Sequence, residues 1–573
     1  MNSDSLFHYG NVELGVALPT PTSFRALPKL PGFNQKQLQA AADLESSFTR
    51  QSGLPPGTYT TFSEVKPLIN VHDRLWDTLE SELNKFERLD ICKRLYEKLE
   101  IFIGHMHLSQ YPAAVDLALS GRTEEAEKRL DMWRASTPVT EAVKFLVEMA
   151  VKHCGSQGLA CGGSKLDFLI GLSNKIVMLD GHLDNLYDHI LPYEINIAPN
   201  FSLSAGLASK AITAIDAWLH SAKPHTVEAV RDWMDTLNVS MGPKIHVEDF
   251  AAFPELVVLD KAMAEELGYG FFDWLNYVKG CMDFFGENEF LKVTGMRRLC
   301  RHVRDTVGLD PAKMELLLRD HALSMATVRD LSRKDMMPME NYRRDSRLLR
   351  RPLLDINRGN ARIAIMGVET FSVGMRVFFD SLEYGTLQLP SMQKEGPMKS
   401  AIGTLQAKIG APFRDGVAAK CKSMGFRVET EWPLPRKDET EKAVGPIDIL
   451  AIDRKKRRLV LVEAKNLRSP GLVPKEMKEE RDKFIDTRGQ HDGGFVRVLK
   501  DKEKSFVSKK EWHLHELKLD GEEDYSVESV IVVNHAMFWP LVTPQPLPIL
   551  DDLEFYKRLR IGQHLLTTPI ATV

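Results

Sequence analysis

The chain has 573 residues, 43% of them hydrophobic and 27% charged, which excludes disordered and membrane-embedded classes and exceeds what one ordinary core accommodates. Its formal charge of −4 carries no global sign of nucleic-acid binding, so any such sign must be local. The opening MNSDSLFHYG lacks a signal peptide's basic and apolar regions, no run of about twenty apolar residues is uninterrupted, and the six cysteines form no disulfide-like framework. A cytoplasmic protein without a membrane partner is expected.

Residues 1–340 read as a mainly helical region suited to recognition, sensing or assembly. Leu75, Leu79, Leu83, Phe86 and Leu89 recur at helical spacing, and Cys92, Leu95, Leu99 and Phe102 continue the stripe. TEAVKFLVEMAVKHC, SLSAGLASKAITAIDAWLHSA and AKMELLLRDHALSMATVRDL repeat the pattern. GLACGGSK has a phosphate loop's glycines but reverses the Lys-Ser order and follows a helix. Residues 341–396 read as a basic connector in which ARIAIMGVETF is a strand and SVGMRVFFDSLEYG a helix.

From Pro397 the pattern becomes regular. PMKSAIGTLQAKIG is helical, and Pro412 is placed to begin a second helix ended by Gly425. FRVETEW alternates as a strand, and PIDILAID and RLVLVEA are apolar strands joined by the charged turn RKKRR. VPKEMKEERDKFIDTR is a charged helix, an insertion follows in which His513 and His515 read as surface residues, and SVESVIVVNH is a strand. ILDDLEFYKRLR closes the chain as a helix capped by Asp551 or Asp552.

The hairpin GPIDILAIDRKKRRLVLVEAKN carries the chemistry. Antiparallel pairing puts the start of its first strand beside the end of its second, so Asp448 and Glu463 meet. Glu463 and Lys465, two residues apart, share a face. Two adjacent carboxylates repel unless they share a proton or a cation, and a hard divalent ion such as Mg²⁺, with Mn²⁺ as substitute, resolves the repulsion. Lys465 beside the ion suits the orientation of a water and the charge of a phosphate, equipment for phosphodiester hydrolysis. The plainer reading is a charged hairpin end with a surface Glu–Lys pair.

The Asp, spacer, Glu-x-Lys pattern within helix–strand–strand–strand–helix–strand resembles the PD-(D/E)xK nuclease superfamily over residues 397–573. The resemblance implies a C-terminal α/β restriction-endonuclease-like domain, a central mixed sheet flanked by helices, behind the helical N-terminal region. It implies that Asp448, Glu463 and the main-chain carbonyl of Ala464 bind metal and that Lys465 assists the nucleophile. Many relatives place a Glu in the first helix, where this chain has FRDGV; Asp415, Glu431 or Glu429 are the alternatives, or the site does without. The implied function is a metal-dependent nuclease with DNA as favoured substrate, in prokaryotic defence or DNA processing. A non-catalytic nucleic-acid or partner-binding protein with a residual fold is the rival, and self-association stays open.

Between residues 292 and 362, 17 Lys and Arg face 9 Asp and Glu. The densest part, YRRDSRLLRRP, holds Arg343, Arg344, Arg347, Arg350 and Arg351, whose spacing lines one face of a helix. Such a face fits a phosphate backbone or an acidic surface of another domain. Lys455 and Arg457 in the hairpin turn are further phosphate-contact candidates, or a solvated turn.

Overall fold

The computed structural model describes residues 32–105, 122–188, 193–207, 254–286, 289–336, 347–383, 385, 387–393, 395–435, 445–467, 474–485, 494–519, 525–535, 537, 540, 547–561 and 565. Among them no helix is long and apolar enough to cross a membrane.

The N-terminal layer contains helices α1 (Gln35–Gln51), α2 (Leu68–Leu83), α3 (Arg88–Gly104), α4 (Thr123–His153) and α5 (Gly163–Asp188). The long apolar stripe expected from Leu75 to Phe102 is two helices, because residues 84–87 turn and bridge to Gly155 and Leu159. A small antiparallel sheet joins β1 (Gly57–Tyr59), β2 (Tyr193–Ile197) and β3 (Leu203–Leu207). SLSAGL, expected to be helical, thus supplies a strand, and the rest of that expected helix lies outside the described residues.

Helices α6 (Pro254–Leu267), α7 (Phe271–Met282), α8 (Met296–Val307), α9 (Pro311–His321) and α10 (Val368–Glu383) form a second layer. Between the layers runs a four-stranded sheet of β4 (Leu291–Gly295), β5 (Ala322–Ser324), β6 (Leu353–Arg358) and β7 (Ala361–Gly367), in the order β4-β7-β6-β5. Alternate residues explain the sandwich: Leu354, Ile356 and Ile365 pack on the first layer, while Leu353, Ala364 and Met366 pack on the second. Residues 341–396 are therefore no separate connector, since their strands pair with β4 and β5 from before residue 340.

The C-terminal sheet has the order β12-β11-β10-β9-β8. Its strands are β8 (Arg427–Trp432), β9 (Ile447–Asp453), β10 (Arg458–Lys465), β11 (Ser526–Val533) and β12 (Ile549–Asp551). β8, β9 and β10 pair antiparallel, and β10, β11 and β12 pair parallel. One face, with Ile449, Ala451, Val460, Val462 and Val530, packs on α11 (Pro397–Ser423) and on α15 (Asp552–Ile561). The other face is covered by α12 (Pro474–Ile485), α13 (Gly494–Ser508) and α14 (Lys510–Glu516). Burial on both faces explains why β10 reads as an unbroken apolar run until Glu463. Pro412, expected to start a helix, lies inside the single helix α11.

Candidate functional site

The pairing of β9 with β10 ends at Ile449 and Val462, so the next residue on each strand is Asp448 and Glu463. Asp448 Oδ2 accepts the amide of Ala464 at 3.0 Å, which fixes the carboxylate against β10. Lys465 Nζ lies 2.8 Å from Glu463 Oε1 and 3.8 Å from Asp448 Oδ2, and 5.2 Å from the centre of the Phe495 ring. The hairpin thus brings together the three residues singled out from the sequence.

A fourth residue completes the cluster. Lys502 of α13 donates to Glu463 Oε2 at 2.7 Å, and both side chains are 5% exposed. Asp448 and Lys465, at 22% and 24%, reach solvent. Burial, and then the charge of Glu463, raise the Asp448 carboxyl above its ordinary value, opposed by Lys465, Lys502 and the Ala464 amide. Two carboxylates and two ammonium groups leave the cluster without net charge. Lys502 is legible in hindsight as a lysine on the apolar stripe of Val496, Leu499 and Phe506, where a charge needs a buried partner.

The acids considered as a further metal ligand are held elsewhere. Arg414 bonds both Glu431 and Asp415, the latter at 3.2 Å, and Arg427 holds Glu429 at 2.8 Å. Glu431 sits at φ 51°, in the left-handed region, and its side chain is 63% exposed. Among the described residues no group of three or more His, Cys, Asp or Glu could hold a metal ion. What remains is Asp448, Glu463 and the Ala464 carbonyl. These hard oxygen donors suit a Mg²⁺-type cation that keeps several waters, but only by exchange with the ammonium groups on Glu463.

The arginine cluster departs from expectation. Residues 347–351 form a turn, not a helical face, and Arg343 and Arg344 lie outside the described residues. Arg347, 9% exposed, donates to the Met336 carbonyl at 2.8 Å and pairs with the buried Glu148 at 2.9 Å. Arg351, 2% exposed, donates to the carbonyls of Arg319 and Ala322. Arg350 is half-buried in the same turn. Arg347 and Arg351 therefore hold the chain together and do not present a face to phosphate. Lys455 and Arg457 are exposed, but four residues of strand lie between Asp453 at their end of the hairpin and Asp448, a rise of about 17 Å.

Other motifs have internal partners too. Lys165 of the glycine-rich loop pairs with Glu82 at 2.9 Å. His513, expected at the surface, is fully buried, stacked on Phe506 and bonded by Trp432 at 3.0 Å. No family model, curated protein or solved structure matches the chain.

Proposed function

We propose that the chain is a metal-dependent nuclease that hydrolyses phosphodiester bonds at Asp448, Glu463 and Lys465, with DNA favoured by the resemblance of its motif. The observation that carries the reading is the meeting of two carboxylates and a lysine at the ends of two central strands, partly open to solvent. The order of one helix, three antiparallel strands, helices and a parallel strand supports it.

Asp448, Glu463 and the Ala464 carbonyl would hold Mg²⁺ or Mn²⁺, which supplies Lewis-acid stabilisation of phosphoryl charge when bound. Lys465, partly exposed, stands where it orients a water toward phosphorus and meets the growing charge on a phosphate oxygen. The Ala464 amide keeps Asp448 in place during this exchange of partners. In the net reaction water oxygen bonds to phosphorus, the bond to the leaving oxygen breaks, and that oxygen takes a proton.

The test is incubation with labelled single- and double-stranded DNA and RNA in Mg²⁺, Mn²⁺ or EDTA. Cleavage that needs the cation and falls about 100-fold or more in Asp448→Asn and Lys465→Ala is expected. Wild-type activity in both variants would sink the assignment. One observation favours the rival, a binding protein with a residual site: both oxygens of Glu463 are already taken by ammonium groups. Binding of nucleic acid without cleavage in either cation is the outcome that reading requires.

A further inference from the structure

Helix α8 contains four arginines and one acid, Asp305. Met296, Leu299 and Val303 are 2%, 0% and 0% exposed and fix its apolar face in the core. Arg297, Arg298, Arg301 and Arg304 are all exposed, and the i, i+4, i+7 spacing of Arg297, Arg301 and Arg304 makes one stripe. Arg304 leans on Asp305 at 2.8 Å, a pair more than half exposed at both ends and so of little energetic weight. Arg298 lies 6.0 Å from the Phe284 ring, and neither it, Arg297 nor Arg301 has an ion-pair partner among the described residues.

This arrangement works against the helix itself. Like charges one turn apart repel, and Arg297 and Arg298 occupy a first turn that holds no acid, the end where the helix dipole disfavours cations. Other arginines of the same basic region are neutralised within the chain: Arg347 by Glu148, Arg333 by Asp77 and Glu80, Arg362 by Asp355 and Glu315. Among the described residues, the local positive balance read from residues 292–362 thus emerges on α8 and not on the turn at 347–351. A rule broken locally without an internal partner points outward.

We infer that the arginine face of α8 docks the phosphate backbone of a nucleic acid, an assignment that rests on the nuclease reading for the kind of polyanion. Guanidinium forks match phosphate oxygens and need no base sequence. A bilayer is the poorer occupant, because a surface-lying helix inserts its apolar face and that of α8 is already buried.

The test is fluorescence anisotropy in EDTA, which prevents cleavage, using a labelled DNA duplex of about 30 base pairs over about 50–200 mM salt. Changing Arg297, Arg298 and Arg301 together to Ala should weaken binding about tenfold or more and flatten the salt dependence by about 0.9 per lost contact. Melting at the wild-type temperature establishes that the variant is folded. Hydrolysis of bis(p-nitrophenyl) phosphate with Mg²⁺, which has no backbone to dock, reports on the Asp448 site separately and should be unchanged by the triple substitution. Failure of that hydrolysis in wild type counts against the nuclease reading, while arginine-dependent DNA binding would still uphold the docking face. Equal affinity and an equal salt slope in the triple variant overturn the docking face. So does a wild-type protein that ignores DNA and binds phosphatidylserine vesicles or polyglutamate through these arginines.

Discussion

Glu463 is satisfied twice, by Lys465 and by Lys502, and only Lys502 is as deeply buried as the carboxylate it neutralises. Removing one member of a buried pair leaves a charge without compensation, which costs about 3–5 kcal/mol. Lys502→Met keeps the volume and leaves Glu463 with Lys465 alone, so the loss should fall toward the lower end of that range, read from the denaturant midpoint. Adding Glu463→Gln removes the orphaned charge and should recover much of the loss. The vacated Glu463 oxygen should also make millimolar Mg²⁺ raise the melting temperature of Lys502→Met more than that of wild type; equal shifts would mean that Lys502 does not compete with the cation. At this scale the sequence is readable where spacing is short. Asp448, Glu463 and Lys465 follow from strand alternation and one hairpin, whereas Lys502 arrives from a helix across the sheet and no local rule names its partner. The arginines between 343 and 351 mislead for a related reason: density of charge does not say which way a side chain points, and buried Glu148 lies far away in sequence.

At the scale of elements, α10 begins where α3 supplies its cap. Glu100, fully buried, accepts the amides of Glu369 at 2.7 Å and Thr370 at 3.0 Å, and also the Thr370 hydroxyl. The approach is so close that a Cβ on Gly367 would stand 1.9 Å from Glu100 Cδ, so any larger residue there displaces the cap. Burial pushes the Glu100 carboxyl up to about 7 despite those bonds. Burial, and then the charge of Glu100, push Glu369 up to about 8, and its Oε1 has no hydrogen-bond partner. Both acids bind protons more tightly in the folded chain than at their ordinary value of 4.5. Their contribution to stability is therefore intact below pH 4.5 and is lost as pH rises through about 7 and 8, each acid giving up on the order of 1 kcal/mol for every pH unit crossed. Glu369→Gln should match wild type near pH 5 and melt at a higher temperature near pH 9. Glu100→Gln should lower stability at both, because its amide NH₂ cannot accept from the three donors. A Glu369→Gln advantage that does not grow with pH would show that the Glu369 carboxyl ionises in the folded chain as readily as in the unfolded one.

Across the whole molecule α11 is the element that joins the parts. Met398, Ala401, Ile402 and Leu405 belong to the core beneath α6 and α10, and Val417, Ala418 and Cys421 of the same helix belong to the core under the C-terminal sheet. Glu266 of α6 receives the Met398 amide at 3.0 Å and so anchors the start of the helix. From sequence the change of pattern at Pro397 is visible, where strands and helices become regular, although Met398 to Leu405 still pack in the core of α6 and α10. The continuity is not, because a proline within a helical pattern reads as a start signal and only packing on both sides carries the helix through it. The strands of residues 341–396 escape as connectors for the same reason, since their partners lie outside the segment. Leu405→Ala empties a fully buried position and should cost about 2–5 kcal/mol. If α11 transmits load, the amides of Val417, Ala418 and Cys421 should exchange with solvent faster as well, although none of them touches the cavity's own core cluster. Pro412 lacks an amide and is the natural fracture point between the halves. Faster exchange confined to residues before Pro412 would mean that the helix is continuous in shape but divided in stability, and that the candidate site rides on a domain that opens by itself.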